Sequence, residues 1–204
     1  MKLNLVETVL VNNPLRAGLL RSTVHWLYEA ACAPRLERVL EVGCGNGAGL
    51  HFIDRRFQPA ALDGFDLDEK QVARARLRLG ELARRRPLRL WTGDALQLAA
   101  ASGTYDGVFE FAIFHHIPDW RRALAEVHRV LRPGGYFLFE ELSREFFHDT
   151  GPLGALLRRT TVHPWEEMFD FPSFRHELAE VGLKLIALRA HAVPGWNCGV
   201  AVRQ

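Results

Sequence analysis

Residues 39–49 read Val39-Leu40-Glu41-Val42-Gly43-Cys44-Gly45-Asn46-Gly47-Ala48-Gly49, and their order decides the fold. Val39, Leu40 and Val42 form a short apolar run rich in branched side chains, the pattern of a strand covered on both faces. Gly43, Gly45 and Gly47 follow at once, removing β-carbons where the backbone must turn tightly and approach a ligand. Leu50, Phe52, Ile53 and Phe57 then recur at helical spacing. Strand, glycine turn and helix N-terminus make the opening unit of a nucleotide-binding fold. Gly43, Gly45 and Ala48 also satisfy the G-x-G-x-x-G/A spacing of dinucleotide-binding domains, so the loop alone does not choose the ligand.

Outward from this unit, strands and helices alternate. A second strand is expected over 60–67, ending in the acidic cluster Asp63, Asp66, Asp68. Val72, Ala75, Leu79 and Leu82 place a helix over 68–84, which Pro87 closes, and 88–91 is a short third strand. Thr92-Gly93-Asp94-Ala95 turns the chain out of the sheet, and 105–111 is a fourth strand. Asp119 caps a helix with the stripe Trp120, Ala123, Leu124, Val127, Val130 and Leu131. Arg132-Pro133-Gly134-Gly135 ends it before a fifth strand over 136–142.

Residues 143–170 read as an irregular, aromatic insertion on the substrate side, followed by helix 171–181 and strands 183–190 and 197–203. The last strand, joined through Pro194-Gly195, must run antiparallel. Upstream, Asn13-Pro14 starts a helix with the stripe Leu15, Leu19, Val24, Leu27 and Tyr28, running to about Ala33; residues 1–37 form a helical lead-in able to lid the site. The expectation is one Rossmann-like, doubly wound α/β domain over 1–204, with a mostly parallel seven-stranded sheet, an antiparallel last strand and helices on both faces.

A net charge of +2 over 204 residues argues against nucleic acid or an anionic membrane as the main partner. The Arg-rich stretch from Arg74 to Arg86 reads as a solvated helix face. Cys32, Cys44 and Cys198 are odd in number and lack metal-ligand spacing, which fits a reduced, cytoplasmic setting. No apolar run reaches membrane-spanning length, so no stable membrane insertion is expected.

The run Glu41-Val42-Gly43-Cys44-Gly45-Asn46-Gly47 resembles motif I of the class I S-adenosylmethionine-dependent methyltransferases. Tyr105 to Asp119 (YDGVFEFAIFHHIPD) and Arg129 to Gly135 (RVLRPGG) extend the likeness across about 38–142. They resemble small-molecule enzymes related to ubiquinone and menaquinone biosynthesis. The resemblance implies S-adenosylmethionine as cofactor, S-adenosylhomocysteine as product and a small-molecule acceptor. Ligands of such sheets sit beyond the carboxyl ends of the strands.

On that frame the amides around Gly43, Cys44 and Gly45 are placed for the methionine carboxylate, and Glu41 for its ammonium; alternatively Glu41 ties loops together. Asp66 is placed for the ribose diol, Leu67 for one adenine face, and Asp68 as a helix cap. Asp94 and the Ala95 amide suit the adenine edge, with an N-cap as the other role for Asp94. Glu110 and Phe111 should border the sulfonium.

His115, His116 and Glu140 are the catalytic candidates, with Tyr28, Arg16, Glu141, His163 and Trp165 as further acceptor-side groups. Either histidine can act as a base or simply bond loop backbone. Glu140 and Glu141 end the fifth strand, so one of them should face the cleft. No metal is expected, because spacing offers the two histidines no third ligand. Methyl transfer needs no catalytic dyad: alignment contributes roughly 7–11 kcal/mol, against about 3–5 kcal/mol for a base.

Three alternatives stand beside this reading. An NAD-linked oxidoreductase lacks a Tyr-x-x-x-Lys pair, a non-catalytic cofactor-binding partner subunit would keep the same loop, and a nucleic-acid methyltransferase lacks its N-P-P-Y or Pro-Cys run. A homodimer is left open.

Overall fold

The computed structural model describes residues 4, 7, 12–32 and 34–204. Its centre is β1 (Arg38–Val42), whose last four residues are buried, as a strand covered on both faces requires. The chain then runs α2 (Ala48–Phe57), β2 (Ala61–Asp66), α3 (Glu69–Arg78), α4 (Gly80–Arg85), β3 (Leu88–Thr92) and β4 (Tyr105–Phe111). A 3₁₀ turn at Phe114–His116 leads to α5 (Trp120–Val130), β5 (Leu131–Leu142), α6 (Arg144–His148), α7 (Pro152–Thr160), α8 (Phe171–Glu180), β6 (Leu183–Ala190) and β7 (Trp196–Arg203). Ahead of β1 lies α1 (Pro14–Ala30).

The seven strands form one sheet in the order β3-β2-β1-β4-β5-β7-β6. Pairs from β3 to β5 are parallel, and β7 runs antiparallel to both β5 and β6. Strand order reverses between β1 and β4, so the carboxyl ends of these two strands open the crevice where such sheets bind ligands.

Two buried layers flank the sheet. Trp120, Leu124 and Val127 of α5 pack with Phe174 and Leu178 of α8 on one face, against Val108, Phe137 and Phe139. Leu27 of α1, Leu50 and Ile53 of α2 and Ala75 of α3 cover the other, against Val39, Phe109 and Leu138. Helices therefore lie on both faces, as the alternation of elements requires.

Four expectations need correction. The single helix over 68–84 is two, divided at Leu79, just ahead of Gly80; Val72, Ala75, Leu79 and Leu82 are nevertheless all buried. Strand β5 begins at Leu131, which pairs with Tyr105, and the Pro-Gly-Gly segment interrupts its register before Gly107 meets Tyr136. Residues 143–170 hold two short helices, α6 and α7.

In α1 the inward stripe is Leu20, Val24 and Leu27, continued by Ala31 at its C-cap, whereas Leu15 and Leu19 are exposed. The spacing of four, three and four fixes that face, and the Leu15–Leu19 pair lies off it. Asn13 does cap α1, its side chain accepting from the Arg16 amide at 2.8 Å. Ala33, the expected end of this helix, lies outside the described residues, as does most of 1–11.

Candidate active site

At the end of β1 the chain turns through Gly43, Gly45 and Gly47 at φ of 68°, 50° and 81°, values that side chains with a β-carbon rarely adopt. Gly47 caps α2, so the loop delivers the chain directly into a helix N-terminus. At the end of β2, Asp66 holds this loop: Oδ2 accepts from the Gly45 amide and Oδ1 from the Asp68 amide, both at 2.9 Å. Asp68 caps α3 by accepting from the Lys70 amide at 3.0 Å.

Asp66, Leu67 and Gly43 line one cleft with Asp94 and Ala95, which follow β3. Its empty volume is about 840 Å³ including the mouth, within the range of small-molecule sites. Gln71, Leu96, Ile113, His116, Ile117 and Pro118 complete much of the wall. Asp94 Oδ1 accepts from the Leu96 amide at 2.9 Å, so the acid also caps its own turn. Asp63, from the same acidic cluster as Asp66, is held elsewhere: it is buried beneath Arg38 Nη2 at 2.7 Å and the Tyr105 hydroxyl at 2.8 Å.

Other sequence candidates lie off this wall. The Cys44 amide donates to the Phe65 carbonyl at 2.8 Å and the Gly45 amide to Asp66, so two of the three loop amides expected for a ligand carboxylate are satisfied inside the protein. The flank of Gly43 is filled by the Ile113 side chain. Glu41 is 3% exposed and lies under α2, against Gly49; its Oε2 has no hydrogen-bond partner among the described residues. Desolvation pushes its carboxyl well above the usual range. Glu110 is fully buried at the end of β4, with Oε2 accepting from the Ile113 amide at 3.2 Å and Oε1 unpartnered among the described residues. Desolvation and the neighbouring Glu141 raise its pKa strongly. Phe111 packs in the layer that contains Phe109.

The chain leaves β4 through Ala112, a residue with a β-carbon held at φ 62° while its amide donates to the Glu140 carbonyl at 2.6 Å. Strain of this kind persists only where neighbours over-determine the backbone. The kink sets up the 3₁₀ turn that carries His115 and His116, so neither histidine stands on extended chain. Their ring centroids are 4.2 Å apart, and His163, arriving after α7, stacks over both at 5.2 and 4.4 Å. The expectation that the pair has no third potential ligand fails here: His163 is distant in sequence and adjacent in space. Burial lowers the pKa of His116 strongly and that of His163 to about 3.

The two glutamates ending β5 point to opposite faces, as adjacent strand residues must. Glu141 lies with the histidines: Oε1 is 2.5 Å from His115 Nδ1 and Oε2 accepts from the Phe114 amide at 2.7 Å. Glu140 faces α1, where Oε1 pairs with Arg16 at 2.6 Å and Oε2 accepts from the Thr23 hydroxyl. So Glu140 does not join His115 and His116, and Arg16 reaches Glu140 rather than the cleft. Trp165 packs at a tilt against His163, ring centroids 4.7 Å apart, whereas Tyr28 packs on Phe57 and lies under Arg56. Gln71 and Ile117 are wall residues that sequence reading missed; Gln71 lies three residues beyond its helix cap, and only the fold turns it inward.

Residues 40–139 match a family described as a methyltransferase domain. The fatty-acid O-methyltransferase of Mycolicibacterium smegmatis is 32% identical over 154 residues, covering 76% of this chain and 46% of that protein. The phthiotriol/phenolphthiotriol dimycocerosates methyltransferase of Mycobacterium tuberculosis is 40% identical over 107 residues, covering 52% of this chain and 38% of that protein. The chain thus spans less than half the length of these curated relatives. A SAM-dependent methyltransferase structure from Aquifex aeolicus superposes with a TM-score of 0.71 at 17% identity, covering 100% of each chain, which shows a common fold.

Proposed function

The chain belongs to the class I S-adenosylmethionine-dependent methyltransferases, and on that premise we propose that it moves a methyl group from S-adenosylmethionine to a small, lipid-like acceptor by in-line displacement. One observation carries the reading: Gly43, Asp66, Leu67, Asp94 and Ala95, from three separate strand ends, meet on a single cleft at the switch point of the sheet.

The residues present fit the cofactor. Asp66, oriented by two backbone amides, would accept the ribose hydroxyls, and Leu67 would cover an adenine face. Asp94 and Ala95 would meet the adenine edge. The unpartnered buried oxygens Glu41 Oε2 and Glu110 Oε1 suit a ligand that brings positive charge. S-adenosylmethionine, when bound, supplies an electrophilic methyl on a cationic sulfur. The protein's part is then alignment and water exclusion. His116, on the cleft wall, would take the acceptor's proton, and Glu141 holds the neighbouring His115 ring in position.

The lid role of the N-terminal lead-in is supported by the glycine-loop Asn46, whose amide nitrogen donates to the Asn12 side chain. The acceptor class follows from the names of the relatives, a fatty acid in one and phthiotriol or phenolphthiotriol dimycocerosates in the other. In support, the segment that carries His163 presents exposed Leu153, Leu156 and Val162. Among the described residues no helix is long and apolar enough to cross a membrane. The setting proposed for the chain is the cytoplasm, which keeps Cys32, Cys44 and Cys198 as free thiols. The oxidoreductase reading has no observation in its favour.

Calorimetry with S-adenosylhomocysteine, followed by transfer of labelled methyl to a fatty acid, a hydroxylated lipid and a small amine, tests the proposal. Micromolar binding with label on a lipid carboxylate or hydroxyl is expected. Preference for NADH would overturn the cofactor, label on the amine alone would overturn the acceptor class, and binding without any transfer would leave a non-catalytic partner subunit.

A further inference from the structure

We propose that His115, His116 and His163 bind one divalent transition-metal ion, with zinc the best match to three imidazoles. One ring nitrogen from each of the three side chains lies within 4.8 Å of those of the other two. Two come from the 3₁₀ turn after β4 and the third from the segment after α7, so the fold assembles a set that no local spacing contains. Bonds of 2.0–2.1 Å to a tetrahedral ion place ligand nitrogens about 3.4 Å apart. Closing from the present separation takes rotation about the soft terminal torsions of the rings.

The surroundings are those of ligands held in place. Glu141 Oε1 on His115 Nδ1 fixes that ring and leaves Nε2 to bind, the carboxylate–histidine arrangement common behind metal ligands. A purely structural stack would be expected to satisfy its buried polar atoms. Yet the His163 side chain is 3% exposed, and its Nδ1 has no hydrogen-bond partner among the described residues; Glu7 Oε1, at 3.7 Å, is beyond hydrogen-bond reach.

Three histidines leave a fourth position open, the pattern of catalytic rather than closed structural zinc. His116 also borders the cleft, so that position faces the site described above. An ion there would hold an acceptor oxygen and lower its pKa, and in the metal-loaded protein it would take over from His116 as base, since a ligating imidazole has no lone pair left for a proton. This role, though not the binding site, rests on the methyl-transfer reading.

The test uses the full chain, stripped with chelator and titrated with Zn²⁺ against a competing chelator, and with Co²⁺ as a visible-absorption probe. One ion per chain is expected, with the Co²⁺ bands of a tetrahedral nitrogen site. His163→Gln should bind at least 100-fold more weakly. Glu141→Gln should bind about 10–100-fold more weakly through loss of ring orientation. His191→Gln, altering the histidine that contacts Cys198 between β6 and β7, should bind as the parent does.

Retained S-adenosylhomocysteine binding reports that each variant is folded, and the parent's Co²⁺ spectrum decides the matter if His163→Gln is not. Absence of stoichiometric binding by the parent, parent-like binding by His163→Gln, or loss of binding in His191→Gln would each overturn the site. None of these outcomes bears on cofactor binding, which the product titration judges separately.

Discussion

The Gly45 amide donates to Asp66 Oδ2 at 2.9 Å, so the acid that ends β2 also holds the turn that ends β1. One carboxylate thereby orients the loop and presents its remaining lone pairs to the cleft. Asp66→Ala removes both functions. Two charge-assisted bonds to hydroxyls at about 1.5–3 kcal/mol each predict at least a 100-fold loss of S-adenosylhomocysteine affinity. Asp66→Asn keeps one acceptor oxygen and should fall between. Calorimetry on the three proteins checks this, and equal affinities would remove Asp66 from the site.

Gly49 and Glu41 make a second test, of packing. A β-carbon at Gly49 would lie 1.9 Å from Glu41 Oε1, beneath the first turn of α2. Overpacking of this kind costs about 1–3 kcal/mol, so Gly49→Ala should destabilise the chain by that amount in urea. With Glu41→Ala already made, the clash is gone and alanine's better helix propensity, worth up to about 1 kcal/mol, remains. The same Gly49→Ala change should then be neutral or stabilising. Equal effects in the two backgrounds would mean that the carboxylate does not lie under the helix.

The pH dependence of Glu41 follows from its burial. Desolvation holds its folded pKa well above the ordinary value of 4.5. A raised folded pKa means that the folded chain binds the proton more tightly than the unfolded one. The contribution is therefore full below pH 4.5 and is lost as pH rises toward the folded pKa. Glu41→Gln, uncharged at every pH, should match the parent's melting temperature near pH 4 and exceed it increasingly above pH 5. It should also weaken S-adenosylmethionine binding at neutral pH if Glu41 answers the ligand's ammonium. A melting-temperature gap that is constant across pH would contradict the assignment of a buried, hard-to-ionise carboxyl.

The parts of the fold that the sequence made legible are those fixed by local chemistry. Strand β4 begins and ends where its apolar run does, at Tyr105 and Phe111, and Asp119 and Asp68 cap the helices their positions imply. The cleft acids Asp66 and Asp94 were readable because topology puts strand ends there. What escaped depends on long-range placement. The third histidine comes from another segment, and α6 and α7 are too short for a clear period. The opposed fates of Glu140 and Glu141 were within reach, since Phe137, Phe139 and Glu141 share one strand face while Leu138 and Glu140 share the other. What lies over each face was not, because that is set by α1 and the 3₁₀ turn.

Glu140 gives the last prediction, because its partners recast it from a catalytic candidate to an anchor. Its side chain is 2% exposed, paired with Arg16 at 2.6 Å and bonded by Thr23, and so ties α1 to β5. Arg16→Met leaves a buried carboxylate without its cation, which costs about 3–5 kcal/mol in fully buried pairs. Arg16 is 21% exposed, so solvent screening places this case at or below the low end. Adding Glu140→Gln removes the orphaned charge and should recover most of the loss, giving a clear coupling in a double-mutant cycle followed by chemical denaturation. The double variant should also keep methyl transfer within about tenfold, since neither side chain meets the cleft wall. Recovered stability with transfer abolished would return Glu140 to the reacting groups and place the acceptor on the α1 side of the sheet.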